Sequence, residues 1–140
     1  MALVLDTGPL LAALDSGDPA HKTCVRLLAG STEPLVIPSP VLVELEYWLR
    51  KRAPANTWQR FAGDVERGAY QLEHPTPADV VRAATLSAKY ADLDLGFVDA
   101  AVVALCERLS EVKVATLDHR HFGAVRPAHC HRFQMLPESP

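Results

Sequence analysis

The sequence predicts an α/β domain in which helices cover both faces of a parallel β-sheet. Short apolar segments of strand length alternate along the chain with longer segments of helical pattern, which is the order of β–α crossover units. Hydrophobic residues make up 49% of the 140 residues, enough for a substantial core. The length fits one folding unit, so we predict a single domain over residues 1–140.

The amino-terminal part of the chain predicts one strand followed by two helices. Residues 2–5 are fully apolar and form a short buried strand. Thr7 is placed to cap a helix over residues 9–14. Residues 18–19 are Asp-Pro, which is a start signal for the second helix, and Gly30 is its stop signal.

The middle of the chain continues the alternation of strands and helices. Residues 35–37 are apolar, and the last two are β-branched, so they predict a second strand. Ser39 and Pro40 open a helix that runs to about Arg52, and another helical pattern covers residues 56–67. A third strand is predicted at residues 69–72.

The carboxyl-terminal part begins with a strong helix signal. Thr76 and Asp79 have the spacing of a capping box, which opens a helix that runs to about Tyr90. The remaining predicted elements are a helix at 97–109 and strands at 112–117 and 132–136.

Four carboxylates lie against these apolar segments. Asp6 ends the first strand and Asp118 ends the strand at 112–117, whereas Glu44 and Asp99 lie inside largely apolar helices. Each acid taken singly has a structural explanation, such as a turn or a cap. A structural explanation of this kind is less convincing for all four acids together, because buried carboxylates need hydrogen bonds, ion pairs or a metal.

The fold class predicts that these acids converge. The carboxyl ends of parallel strands meet at one edge of the sheet, so Asp6 and Asp118 share a crevice if their strands are neighbours. A helix turns by about 100° per residue, which places Glu44 on an apolar face and Glu46 about 200° away, in solvent. Asp99 is surrounded by apolar and small residues, so its helix can approach the sheet closely.

Mutual repulsion in such a crevice predicts a bound cation. Oxygen ligands with no Cys or His at a zinc-site spacing favour Mg²⁺ or Mn²⁺ over zinc. Metal ions held by carboxylates commonly serve phosphoryl chemistry. The residues leave open whether one ion or two are held.

The acids occur in four short motifs whose order resembles that of a known family. The motifs are Leu5-Asp6-Thr7, Glu44 within Val41–Leu45, Asp99 within Val98–Ala104, and Asp118 within Thr116–Phe122. Together they resemble a PIN domain, and the VapC-type ribonuclease toxins in particular, over essentially the whole chain. The resemblance implies a three-layer α/β/α sandwich with a mostly parallel central sheet. It also implies a Mg²⁺- or Mn²⁺-dependent endoribonuclease that cleaves RNA, usually as a homodimer, and is inhibited by a cognate VapB antitoxin.

The resemblance also implies roles for individual residues. Asp6, Asp99 and Glu44 match the family's metal ligands, and Asp118 matches its fourth acid, which acts directly, through water or on a second metal. The hydroxyl residues beside the first and fourth acids are Thr7 and Thr116. Among the basic residues, Arg120 lies two residues from Asp118 and is a candidate for contact with an RNA phosphate or with the antitoxin.

Composition narrows the function and the compartment. The net charge of −3 argues against a strong, diffuse nucleic-acid binder. The basic run at residues 50–52 is better explained by a solvated helix end that complements the helix dipole than by contact with RNA. Three widely spaced cysteines do not form a disulfide framework, which favours the reducing cytoplasm. The first residues lack a basic signal-peptide region, and no apolar run is long enough to span a bilayer, so no membrane association is expected.

Other assignments explain the sequence less well. The triplet Asp6-Thr7-Gly8 matches aspartic proteases, which need two such loops in an all-β fold. A phosphoacceptor receiver domain also gathers acids at strand ends, but no lysine follows residue 118. A PIN-fold module that mainly binds antitoxin or RNA, with weak cleavage, remains the alternative. We further expect His119 and His121 to be surface residues and Trp48 to pack between helices.

Overall fold

A computed structural model, which describes residues 1–138, places five short strands in one sheet in the order β3-β2-β1-β4-β5. The strands of this range are β1 Leu3–Leu5, β2 Leu35–Pro38, β3 Gln71–Glu73, β4 Lys113–Ala115 and β5 Gln134–Leu136. All four strand pairings are parallel. The predicted α/β class is therefore confirmed, and the sheet is wholly rather than mostly parallel.

Helices supply the crossovers between the strands and complete the three-layer sandwich. Those of residues 1–138 are α1 Thr7–Leu14, α2 His21–Ala29, α3 Ser39–Arg52, α4 Thr57–Glu66, α5 Pro77–Lys89, α6 Phe97–Leu109 and α7 His119–Ala124. None of the helices in this range is both long enough and apolar enough to cross a membrane.

The core lies around the central strand β1 and helix α6. All three residues of β1 are buried, and in α6 every residue from Ala100 to Cys106 is buried. Three of those α6 residues are alanines, which let the helix backbone approach its neighbours closely. Burial of each larger aliphatic side chain contributes about 1.5–3 kcal/mol. The first turn of α6 is consequently held in place by the best-packed part of the molecule.

Several predicted elements match the structure closely. Helix α6 has the predicted bounds, and α3 spans Ser39–Arg52 as expected. The capping box of α5 is present: the Asp79 backbone N–H donates to Thr76 Oγ1 at 3.1 Å, and the Thr76 N–H donates to Asp79 Oδ2 at 2.9 Å.

Two predicted helix starts are wrong. Thr7 is the first residue of α1 rather than its cap, and its hydroxyl donates to Glu44 instead. Helix α2 begins at His21, because the Asp18 carboxylate accepts the Ala20 N–H at 2.8 Å and forms a turn before the helix.

Three strands are shorter or shifted. β3 begins at Gln71 rather than residue 69, β4 ends at Ala115 rather than Leu117, and β5 begins at Gln134 rather than residue 132. β4 stops where its partner stops, since β1 offers only the ladder from Leu3 to Leu5. The residues after Ala115 are thereby free to turn toward the edge of the sheet.

Helix α7 was not predicted. Taken alone, residues 118–120 fit a plain turn as well as a functional acid, but the Asp118 side chain caps a six-residue helix by accepting the His121 N–H at 3.0 Å. Phe122, which is 1% exposed, anchors this helix in the core. The helix fixes the chain that follows β4 beside the carboxyl edge of the sheet.

Candidate metal centre

A cavity of about 450 Å³ lies at the carboxyl ends of β1 and β4, and the four acids singled out from the sequence line it. Its lining residues are Asp6, Thr7, Gly8, Glu44, Asp99, Leu117 and Asp118. Gly8 is suited to this wall, because a Cβ there would lie 3.2 Å from the Leu117 Cβ. Four elements distant in sequence therefore present carboxylates to one space.

Asp6 is the most buried of the four acids. It follows β1 directly, and its backbone N–H donates to the Ala115 carbonyl at 2.9 Å, which extends the pairing of β1 with β4. Its side chain accepts the Thr116 hydroxyl at 2.9 Å and a backbone hydrogen bond from Thr7. These bonds fix the carboxylate in a position where it is only 6% exposed.

The charge balance around Asp6 is unfavourable. Burial, then repulsion from Asp99 and more weakly from Glu44, raises the pKa of Asp6 to about 7. The hydrogen bonds from Thr7 and Thr116 act in the opposite direction but do not compensate. A cation beside this carboxylate would stabilise its charged form.

Glu44 lies at the rim of the cavity, where the Thr7 hydroxyl donates to its Oε1 at 2.7 Å. The expectation that Glu44 points inward and Glu46 into solvent is wrong. Glu44 is exposed, whereas Glu46 is partly buried and pairs with Arg50 at 2.9 Å. Glu44 precedes the fully buried Leu45, and its own side chain lines the open cavity.

Asp99 lies in the first turn of α6 and is partly buried. Burial, then the charges of Asp118 and Glu44, raises its pKa, although a hydrogen bond from His121 partly offsets the rise. The amino terminus of the helix also favours a negative charge at this position. Asp99 is therefore repelled by two acids that line the same cavity.

Asp118 and Thr116 connect the end of β4 to the cavity. The buried Thr116 hydroxyl accepts the Asp118 N–H at 2.9 Å while it donates to Asp6. Asp118 Oδ1 accepts the His121 backbone N–H, and its Oδ2 lies 2.9 Å from His121 Nδ1. One hydroxyl thus positions two of the acids.

His121 is the site residue that the sequence prediction missed. It was expected at the surface, but its side chain is 18% exposed, and its Nδ1 lies 3.0 Å from Asp99 Oδ2. Burial opposes its charge, yet the neighbouring Asp99 and Asp118 outweigh burial and raise the pKa of the imidazole. The available signal was the spacing: His121 is the third residue after the helix-capping Asp118.

The donor set fits a divalent cation. Carboxylate oxygens crowded enough to raise their own pKa values are ligands for a hard ion such as Mg²⁺ or Mn²⁺. The expectation of a site without histidine is wrong, because one imidazole nitrogen contacts two of the four carboxylates.

The basic residues lie outside the cavity. Arg120 is exposed on α7, and Arg52 places its guanidinium 4.8 Å from the Trp48 ring centroid. Trp48 is 39% exposed, so the expectation that it packs between helices is wrong. A larger cavity of about 700 Å³ between α1, α3 and α4 is lined in part by Arg52, Arg60 and Arg67 and by none of the four acids.

Comparison with known proteins gives consistent matches over nearly the whole chain. The sequence model of the PIN domain matches residues 3–126. Ribonuclease VapC26 of Mycobacterium tuberculosis is 33% identical over 135 residues, which are 96% of this chain and 100% of that protein.

Solved structures of the same kind share the fold. M. tuberculosis VapC20, described as a sarcin–ricin loop cleaving toxin, has a TM-score of 0.82 at 22% identity, covering 93% of this chain and 99% of that chain. A toxin–antitoxin complex from Klebsiella pneumoniae gives a TM-score of 0.68 at 18% identity, over 89% and 92% of the two chains. VapBC2 of Rickettsia felis, bound to a DNA fragment from its promoter, gives 0.65 at 17% identity, over 96% and 98%.

Proposed function

This chain belongs to the PIN domain family, as a VapC-type ribonuclease, and we propose that it hydrolyses RNA phosphodiester bonds with Mg²⁺ or Mn²⁺ as the toxin of a toxin–antitoxin pair. The observation that carries the proposal is the gathering of four carboxylates from four elements in one cavity. Two of them, Asp6 and Asp99, have pKa values raised first by burial and then by repulsion from other acids, and a bound cation would relieve that repulsion.

In this proposal three acids hold the principal ion. Asp6, Asp99 and Glu44 are its ligands, and Asp118 orients the attacking water or a second ion. When bound, the ion would hold a phosphate oxygen, lower the pKa of water and stabilise charge on the leaving oxygen. Support comes from Asp99, whose carboxylate lines the same cavity as Glu44 and Asp118 and is repelled by both.

Two hydroxyls orient the acids in this proposal. Thr7 fixes Glu44, and Thr116 fixes Asp6 while it binds the backbone at Asp118. A hydroxyl hydrogen bond to one carboxylate oxygen restrains the whole group. The orientation of the second oxygen of that carboxylate is therefore fixed as well. Arg120, exposed on the helix that Asp118 caps, is proposed to contact a substrate phosphate near the cavity.

The test of this function is cleavage that depends on a divalent ion. The metal-free protein is incubated with total RNA and with an oligonucleotide of the sarcin–ricin loop, the target named for VapC20. We expect discrete products with millimolar Mg²⁺ or Mn²⁺, none with a chelator, and recovery when the ion is restored. Intact RNA under every divalent condition would instead favour the PIN-fold module that only binds.

We also propose a VapB-type antitoxin as the protein partner. The reading frames next to this gene are the place to seek it, and we expect one small product to co-purify with this chain and suppress cleavage. Light scattering of the complex measures the stoichiometry. Failure of both neighbouring gene products to bind would contradict the pairing.

We propose further that this chain forms a homodimer and acts in the cytoplasm. Apolar side chains are exposed on three helices: Val43 and Tyr47 on α3, Val81 on α5 and Phe97 on α6. Such side chains support self-association. Three free cysteines support a reducing compartment.

A further inference from the structure

His121 makes a compact group with two of the four acids. Its Nδ1 lies 3.0 Å from Asp99 Oδ2 and 2.9 Å from Asp118 Oδ2. Among residues 1–138, these three form the one set of potential metal-ligating side chains whose ligand atoms all lie within 4.8 Å of one another. Asp6 and Glu44 are not part of this set.

These distances suit ligands of one ion. Two atoms that bind a cation at about 2.1 Å and at right angles to each other lie about 3.0 Å apart. The two measured Nδ1 to oxygen distances have this value. A simple ion pair has the same distances, and detection of nitrogen bound to the metal, in the test below, separates the two roles.

The surroundings of His121 resemble those of a ligating histidine. The Leu93 backbone carbonyl accepts a hydrogen bond from the imidazole, and the His121 backbone N–H is held by Asp118. The next residue, Phe122, is buried and fixes the helix. Metal-binding histidines are typically oriented in this way, by a carbonyl or carboxylate on the ring and a rigid backbone.

Asp99 joins this group to the rest of the cavity. Its charge is opposed by Asp118 and by Glu44. Asp99 and Asp118 line the cavity together with Asp6 and Glu44, and His121, which does not line it, contacts Asp99 and Asp118 directly. Asp6 and Glu44 thus offer oxygen ligands alone, whereas the group around His121 offers both nitrogen and oxygen, and Asp99 belongs to the cavity and to this group.

We propose that Asp99, Asp118 and His121 form a second, distinct cation position that selects a nitrogen-accepting transition ion, such as Mn²⁺, over Mg²⁺. This inference rests on the proposed function for the first ion. An imidazole ligand suits transition ions, whereas Mg²⁺ prefers oxygen ligands and retains its water. The first position accepts either ion, and the second accepts Mn²⁺.

The test counts bound Mn²⁺ and detects nitrogen ligation directly. Calorimetric titration of the metal-free protein is expected to give two Mn²⁺ per chain but one Mg²⁺. Pulsed electron paramagnetic resonance is expected to show ¹⁴N coupling from a ligating imidazole, which persists when Mg²⁺ is added in excess. In His121→Gln, the coupling disappears and the second Mn²⁺ binds at least about 10-fold more weakly, while the first is nearly unchanged.

A matched variant controls for histidines elsewhere in the chain. His131 is exposed and lies outside the cavity, so His131→Gln should retain both ions and the ¹⁴N signal. If His121→Gln fails to fold, the ¹⁴N signal in the parent protein decides.

The outcomes separate this inference from the proposed function. One Mn²⁺ per chain with no ¹⁴N coupling, together with metal-dependent RNA cleavage, overturns the second position and leaves the proposed function standing. No uptake of Mn²⁺ at millimolar concentration overturns both.

Discussion

Replacing Asp6 with asparagine is expected to lower RNA cleavage at least about 100-fold while the metal-free protein becomes more stable near pH 8. The activity falls because the proposed metal ligand loses its charge. Metal stabilisation of a phosphoryl transition state is worth several kcal/mol, and about 1.4 kcal/mol corresponds to a factor of ten in rate. The stability rises because a buried carboxylate that repels Asp99 becomes a neutral amide of similar size.

The local hydrogen bonds tolerate this substitution. The Thr116 hydroxyl can donate to the amide oxygen as it now donates to Asp6 Oδ2, and the amide N–H group can donate toward Asp99. Asn therefore keeps the shape of the side chain and the hydrogen bond from Thr116, while the Thr7 backbone N–H, which now donates to the carboxylate, must share the one amide oxygen. A purely structural Asp6 would show the opposite pattern, with stability lost and cleavage reduced only in proportion to unfolding.

The measurement pairs initial cleavage rates in Mn²⁺ with urea denaturation in chelator. Asp94→Asn is the matched control, since Asp94 is exposed, lies outside the cavity and has a left-handed backbone with φ 54°, which Asn adopts readily. The control should match the parent in both assays. Cleavage by Asp6→Asn within a few-fold of the parent would remove Asp6 from the proposed ligand set.

The sequence was sufficient to predict the fold because independent local signals agreed. Helix α6 has its predicted bounds because an apolar run, a preceding Gly96 and small packing residues all indicate the same segment. Convergence of Asp6 and Asp118 on one edge follows from the geometry of neighbouring parallel strands, which the pairing of β1 with β4 provides.

The parts that were missed depend on tertiary packing. Helix α7 has six residues, too few for a periodic pattern, and it forms because Asp118 caps it and Phe122 is buried. Without that helix His121 cannot be placed beside Asp99. Helical phase likewise placed Glu44 on the face of Val41 and Leu45, which are buried, but it did not predict that Glu44 itself is exposed at the cavity.

The metal-free protein is expected to lose stability as the pH rises from about 5 to 8. The pKa of Asp6 is raised from its ordinary 3.8 to about 7, so the folded state binds more protons than the unfolded state across this window. Stability therefore falls with rising pH until the folded pKa is passed. The rise for Asp6 alone corresponds to roughly 4 kcal/mol at most.

Asp99 and His121 also have raised pKa values, so they too lower the stability of the folded protein as the pH rises. The pKa of Asp99 is raised by burial and by its acidic neighbours. The raised pKa of His121 adds stability at low pH that is lost as the imidazole deprotonates. Asp79 and Glu107 have lowered pKa values, and their contribution is lost only as the pH falls below the window, so they do not mask the slope.

Divalent ions should abolish this pH dependence, because an ion at the carboxylates replaces the protons that stabilise them at low pH. Urea denaturation at several pH values, in chelator and then in saturating Mn²⁺, measures both slopes. Asp6→Asn should flatten most of the slope in chelator, whereas Asp94→Asn should retain it. A parent protein equally stable at pH 5 and pH 8 in chelator would mean that the carboxylates are already compensated in the fold, and the electrostatic argument for a metal at this cavity would fail.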